Sequence, residues 1–214
     1  FFQGFAKIFK EEPANVRDSI EEILDLSRIA HSRSLLEIEK HIEKQEDDFL
    51  KFSLSEMLVY RDNEQLEQSL HNHLNAMKLR HLRCQDIFNN MATYAPAFGM
   101  MGTVMGLIMM MTSQVGAENA DAIVGQTENM LNSLLAGMGL ALVTTFYGVF
   151  IANFIFIPVS GKLKVLSDAE VDKNEVIIQG VLALKNNMPT LFLKESMLSH
   201  VSYQTKLQLS QLIR

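Results

Sequence analysis

Two long stretches without charge interrupt an otherwise charged chain. No Asp, Glu, Lys or Arg occurs from Ile87 to Ala117, and none from Asn129 to Gly161. Each stretch exceeds the ~20 residues that a helix needs to cross a hydrocarbon core. Their apolar cores run from Ala95 to Met111 and from Leu131 to Ile157. The pattern therefore predicts two membrane helices, over 92–113 and 129–158, joined by a loop over 114–128. The rival reading, a buried helix pair of a soluble protein, fits less well, because such helices are shorter and carry some charge. Lys78, Arg80 and Arg83 precede the first span, and Lys162 and Lys164 follow the second. The loop holds Glu118, Asp121 and Glu128 but neither Lys nor Arg. Positive residues stay inside, so both flanks face the cytoplasm, the loop lies outside, and the spans form an antiparallel hairpin.

The flanking regions repeat apolar residues at helical steps. Val16, Ile20, Ile23, Leu24 and Ile29 follow Pro13, and Leu66, Leu70, Leu74 and Met77 mark a helix that runs on towards Pro96. Val176, Ile177, Val181 and Leu182 mark another, closed by a turn at Asn186-Asn187-Met188-Pro189 and followed by a last helix from about Thr190. Steps of three and four with no strand-like alternation predict an all-α chain. Residues 11–91 form a cytoplasmic helical domain, and 159–214 form cytoplasmic C-terminal helices. The apolar start at Phe1-Phe2-Gln3-Gly4-Phe5, running into Lys7 and Lys10, reads equally as an amphipathic helix or the end of a membrane helix.

Composition narrows the functional classes. The 214 residues carry a net charge of −6. No basic stripe interleaved with aromatics appears, which argues against a nucleic-acid partner. Cys84 is the only cysteine, so no intrachain disulfide forms. His71 and His73 are two residues apart, a spacing that turns them to different helix faces and disfavours a metal site. Zinc, phosphate-loop and nucleophile-elbow motifs are missing. The residues make no case for an enzyme or a bound cofactor.

The membrane helices carry a pattern of small residues. On the first, Ala95, Gly99 and Thr103 stand four apart, with Gly102 and Gly106 on the adjoining face. On the second, Gly137, Ala141, Thr144 or Thr145, Gly148 and Ala152 repeat the device. Such spacing lets backbones approach closely in lipid, so Gly99, Gly102, Gly106, Gly137 and Gly148 are read as helix-packing residues. Thr103, Thr144 and Thr145 have two readings. A hydroxyl bonds back to its own helix, or it offers oxygen to a partly dehydrated cation. Neither span holds a charged side chain, and a proton or sodium path normally needs a carboxylate at membrane depth. An ion route here requires a partner subunit with its own membrane helix. Pro96 and Pro158 at the cytoplasmic ends read either as helix termini or as hinges.

Ala95-Pro96-Ala97-Phe98-Gly99-Met100-Met101-Gly102-Thr103-Val104-Met105-Gly106 resembles the third membrane helix of MotA/PomA flagellar stator subunits. Ala141-Leu142-Val143-Thr144-Thr145-Phe146-Tyr147-Gly148-Val149-Phe150-Ile151-Ala152-Asn153, with Pro158 and Gly161-Lys162-Leu163, resembles the fourth. Ile178-Gln179-Gly180-Val181-Leu182-Ala183 is similar to the family's C-terminal cytoplasmic helix. Family members have four membrane helices, so the resemblance implies that residues 1–10 are the end of a truncated second one. It also implies a pentamer in the bacterial inner membrane around a MotB/PomB partner, which brings the ion-binding aspartate. Ion flow then drives the cytoplasmic domain against the rotor protein FliG. Thr103 and Thr145 match positions that are Thr in sodium-driven PomA-type members, so sodium is favoured over the proton as the transported ion. The rotor-contact match is poorer. Aligned on Leu35-Leu36, Glu39 takes the family Glu position, but His31 stands where the family has Arg. Arg33, Glu37, Glu39 and Lys40 are the candidates, with a solvated charged face as the rival reading. A TolQ/ExbB-type proton-driven energiser and a non-transporting membrane scaffold are the alternative functions.

Overall fold

The computed structural model describes residues 16–33, 41–42, 45, 47–115 and 123–199. These are helical throughout apart from short links, and no strand occurs among them. Helix α1 spans Val16–Arg33, α2 spans Asp48–Val59, and α3 spans Asn63–Val115. Helix α4 covers Ile123–Ile151 and passes through a π-turn at Ala152–Phe156 directly into α5, Ile157–Lys185. Helix α6, Thr190–Ser199, closes the described chain. Residues 1–10, the positions Glu37, Glu39 and Lys40, the Arg33 side chain and residues 116–122 lie outside the described residues, and the rest of the predicted 114–128 loop, 114–115 and 123–128, is helical.

Neither proline marks a helix end. Pro96 lies inside α3, and Pro158 is the second residue of α5, one step beyond the π-turn. The reading of these prolines as termini is therefore overturned. A proline removes one N–H and crowds the carbonyl four residues back, but the flanking turns of these long helices carry the chain across the gap. The membrane limits read from charge, near 92 and 158, consequently fall within continuous helices rather than at their ends.

Packing divides the chain into two units. One takes in Arg83–Leu163, and the other takes the described residues before and after it. The second unit has an ordinary interior. Ile20, Ile23 and Leu24 of α1, Leu50 and Leu54 of α2, Leu66, Leu70 and Leu74 of α3, Ile177, Val181 and Leu184 of α5, and Leu193 and Met197 of α6 form one core. The three- and four-residue steps put these side chains on one face of each helix. Gly180 permits α1 and α6 to close on α5: a Cβ there would stand 2.9 Å from Ile23 Cδ1 and 2.8 Å from Met197 Sδ. The link between α5 and α6 turns at Asn187, whose φ of 49° is the left-handed value that Asn tolerates.

Asp47 ties this unit together at two points. Its Oδ1 accepts the Phe49 and Leu50 N–H groups at 2.9 and 3.3 Å, capping α2. Its Oδ2 accepts Lys173 Nζ of α5 at 2.6 Å, with both side chains under one-fifth exposed. Asp47→Ala loses the cap and the ion pair, and should cost about 2 kcal/mol. Asp47→Asn keeps a capping oxygen and should cost about half of that. Denaturant unfolding of the detergent-purified protein checks the order; equal losses for the two variants would show that the cap contributes nothing.

Candidate functional site: a glycine-lined membrane hairpin

The first unit has an inverted surface. Phe98, Leu142 and Phe154 are each at least 66% exposed, as are many neighbouring Met, Val and Ile side chains to a lesser degree. A water-soluble protein does not present an apolar surface of that extent. Two helices among the described residues are long and apolar enough to cross a membrane. Only 17% and 11% of their most apolar windows are buried within the chain, which is unlike the core helix of a soluble domain. The solvent that suits these faces is lipid.

What is buried in this unit is the seam between α3 and α4, and glycine makes it. A Cβ on Gly148 would stand 2.7 Å from the Ala95 carbonyl oxygen and 3.1 Å from Gly99 Cα. One on Gly99 would meet the Thr144 carbonyl oxygen at 3.0 Å and Thr145 Cα at 3.1 Å. Gly102 faces the Thr144 side chain, Gly106 faces Ala141 and the Gly137 carbonyl, and Gly137 faces Met110. Positions rise along α3 as they fall along α4, so the helices run antiparallel with backbones in contact. Dispersion between close backbones, rather than hydrophobic burial, holds helices together in lipid. At one end the seam closes with Phe88 and Val159 buried against Phe156 and Leu163, and with Ser160 Oγ donating to Asn89 Oδ1 at 2.7 Å.

The three candidate threonines differ in what their hydroxyls do. Thr103 donates to the Met100 carbonyl at 2.6 Å. Thr144 donates to the Ala141 carbonyl at 2.8 Å, with the Gly99 carbonyl across the seam at a marginal 3.4 Å. Thr145 lies beside Gly99, is half-buried, and makes no hydrogen bond among the described residues. Back-bonding uses a hydroxyl proton but leaves the oxygen lone pairs. Thr103 and Thr144 therefore retain acceptor capacity, and Thr145 retains both donor and acceptor.

One polar group in the span enters the sequence reading only as part of the resemblance, with no role given to it. Asn153, inside the π-turn, donates Nδ2 to the Val149 carbonyl at 2.8 Å and is otherwise exposed. Its polarity within an apolar run was the available signal. In the second unit, His71 lies 3.9 Å from Glu67, and His73 stacks on Phe52 with centroids 4.1 Å apart. No cluster of metal-ligating side chains occurs among the described residues. Arg17 there donates to Glu21 at 2.8 Å, and this bond and the carboxylate charge hold the guanidinium above its ordinary pKa.

A pair of lipid-facing helices, closed backbone to backbone by glycine and lined with hydroxyls but no charge, defines an all-α integral membrane protein. The comparisons make the class specific. The chain belongs to the MotA/TolQ/ExbB proton channel family, whose model matches residues 41–176. Motility protein A of Treponema phagedenis is 32% identical over 208 residues, spanning 97% of this chain and 75% of that protein. Chemotaxis protein PomA of Vibrio alginolyticus is 27% identical over 86% of this chain and 65% of its own length. The flagellar MotAB stator complex of Bacillus subtilis contains a chain that superposes with a TM-score of 0.78 at 28% identity, covering 95% of this chain and 75% of its own.

Proposed function

We propose that this chain is the MotA-type subunit of a flagellar stator, which couples cation flow through the membrane to torque on a rotor. The observation that carries the reading is the hydroxyl-bearing seam without a single carboxylate or basic side chain between Asn129 and Gly161 or between Ile87 and Ala117. Oxygen ligands without a carboxylate make half of an ion path. The other half comes from a MotB/PomB-type partner helix that brings an aspartate. The Motility protein A relatives and the MotAB fold support the same division of labour. The charged unit faces the cytoplasm by the excess of Lys and Arg on both outer flanks. There it meets the rotor protein FliG. The subunit surrounds its partner as a pentamer in the inner membrane.

Sodium is the transported cation in this reading. Thr103 and Thr145 supply neutral oxygens, which suit a partly dehydrated metal cation more than a proton, and the PomA relative supports this weakly at 27% identity. Pro96 and Pro158 are the hinges of this reading; the backbone hydrogen bond that each removes inside a long helix supports it. The test is swimming speed of a stator-deleted strain that carries the complete gene and its partner, in sodium and in potassium buffer. Speed that fades in potassium is the expected outcome. Equal speed in both buffers would overturn the sodium reading and leave proton drive. Failure to rescue in either buffer, with the complex present in the membrane, would overturn the stator reading in favour of a TolQ/ExbB-type energiser.

A further inference from the structure

The π-turn at Ala152–Phe156 changes the backbone chemistry of the second membrane helix. In an α-helix the Ile157 N–H would bond the Asn153 carbonyl, four residues back. It bonds the Ala152 carbonyl instead. The next residue, Pro158, has no N–H. The two backbone donors in reach of the Asn153 carbonyl, four and five residues on, are thus spent and missing respectively. The Phe154 carbonyl loses its α-helical donor for the same reason, because that donor would also be Pro158. The Asn153 side chain adds to the excess of acceptors. Its Nδ2 is taken by the Val149 carbonyl at 2.8 Å, which leaves Oδ1 with its lone pairs. Asn153 and Pro158 are both exposed on the hairpin.

Unpaired carbonyls are costly in hydrocarbon, and backbone of this kind persists at membrane depth only where it lines a polar path or is covered by protein. Single π-turns inside α-helices occur frequently at functional sites. We propose that the π-turn is an oxygen site for a partly dehydrated monovalent cation, built from the Asn153 carbonyl with support from its Oδ1. It lies about 12 Å along the helix from the free Thr145 hydroxyl, towards the cytoplasmic end. The inference rests on the cation-driven reading above and extends its route beyond the threonines.

Two variants of the complete protein, expressed with its partner, test it. Deletion of Ile155 removes the extra residue and restores α-helical bonding through the turn. Pro158→Ala leaves the length unchanged and returns one N–H to the starved carbonyls. The readout is the sodium concentration that gives half-maximal swimming speed, measured separately from the maximal speed. Loss of an oxygen ligand should raise that concentration about fivefold, equivalent to about 1 kcal/mol. A purely mechanical hinge would lower maximal speed and leave the half-maximal concentration in place, and that result overturns the proposal. If the deletion variant does not accumulate in the membrane, Pro158→Ala decides alone. Indifference of the unaltered stator to sodium would overturn the sodium reading instead. It would take the site with it, because an amide carbonyl oxygen does not bind a proton at any pH at which cells swim.

Discussion

Gly148→Ala abolishes motility and releases the subunit from its complex in detergent, whereas Gly139→Ala does neither. The methyl group at position 148 would stand 2.7 Å from the Ala95 carbonyl oxygen and 3.1 Å from Gly99 Cα. Both obstacles are backbone and cannot rotate away, so the two helices must separate. A gap of roughly 0.5–1 Å already forfeits a quarter to a half of the dispersion energy of each contact. In lipid no hydrophobic term makes up the difference. The expected loss is about 1–3 kcal/mol, as for other overpacked interiors. Gly139 lies on the same helix with nothing within 4 Å of an added Cβ. There alanine should be neutral or stabilise by about 0.5–1 kcal/mol, because a helical glycine loses more backbone freedom. Native gels of the extracted complex and swim-plate diameters read both variants. Equal behaviour of the two would mean that the seam does not hold the hairpin.

Thr145→Val stops cation-dependent swimming by at least about tenfold, the effect of losing about 1.4 kcal/mol of cation stabilisation, while Thr112→Val leaves it intact. Valine keeps the branched shape and removes only the hydroxyl. Thr145 is half-buried beside Gly99, and its hydroxyl has no partner among the described residues, so nothing in this chain's own packing explains a requirement for it. Thr112 is exposed and bonds back to the Ile108 and Met109 carbonyls at 3.0 and 3.1 Å. Thr144→Val should fall between them, since that hydroxyl is tied to the Ala141 carbonyl and mainly fills space against Gly102. Membrane levels of each variant are measured alongside speed. Equal speeds for the Thr145 and Thr112 variants at equal levels would remove Thr145 from the cation route.

Much of this was legible in the residues, for different reasons in each part. The two spans follow from charge depletion over more than a bilayer's length, a constraint too strong for local detail to override. The charged unit's helices follow from apolar steps of three and four, as at Leu66, Leu70, Leu74 and Met77, which share one buried face. The prolines were ambiguous because one missing N–H ends a short helix but only interrupts a long one. The choice between Thr144 and Thr145 was equally open, since adjacent residues lie about 100° apart on a helix and both border the small face. The Asp47–Lys173 pair joins residues far apart in the chain, and no local pattern announces it.

By itself, then, the sequence determined the class of solvent around each segment, the helical state and the small-residue face on each span. These are properties of composition and period, and they survive without knowledge of the neighbours. Only the tertiary structure decided which glycine meets backbone and which meets empty space. It alone set which threonine keeps a hydroxyl without a partner among the described residues, and it alone showed that the helix widens at Ala152–Phe156 before Pro158. The physical reason is range. Burial and helical period average over many residues, whereas a contact of 2.7 Å or the destination of one N–H depends on the azimuth of two helices to within a fraction of a turn.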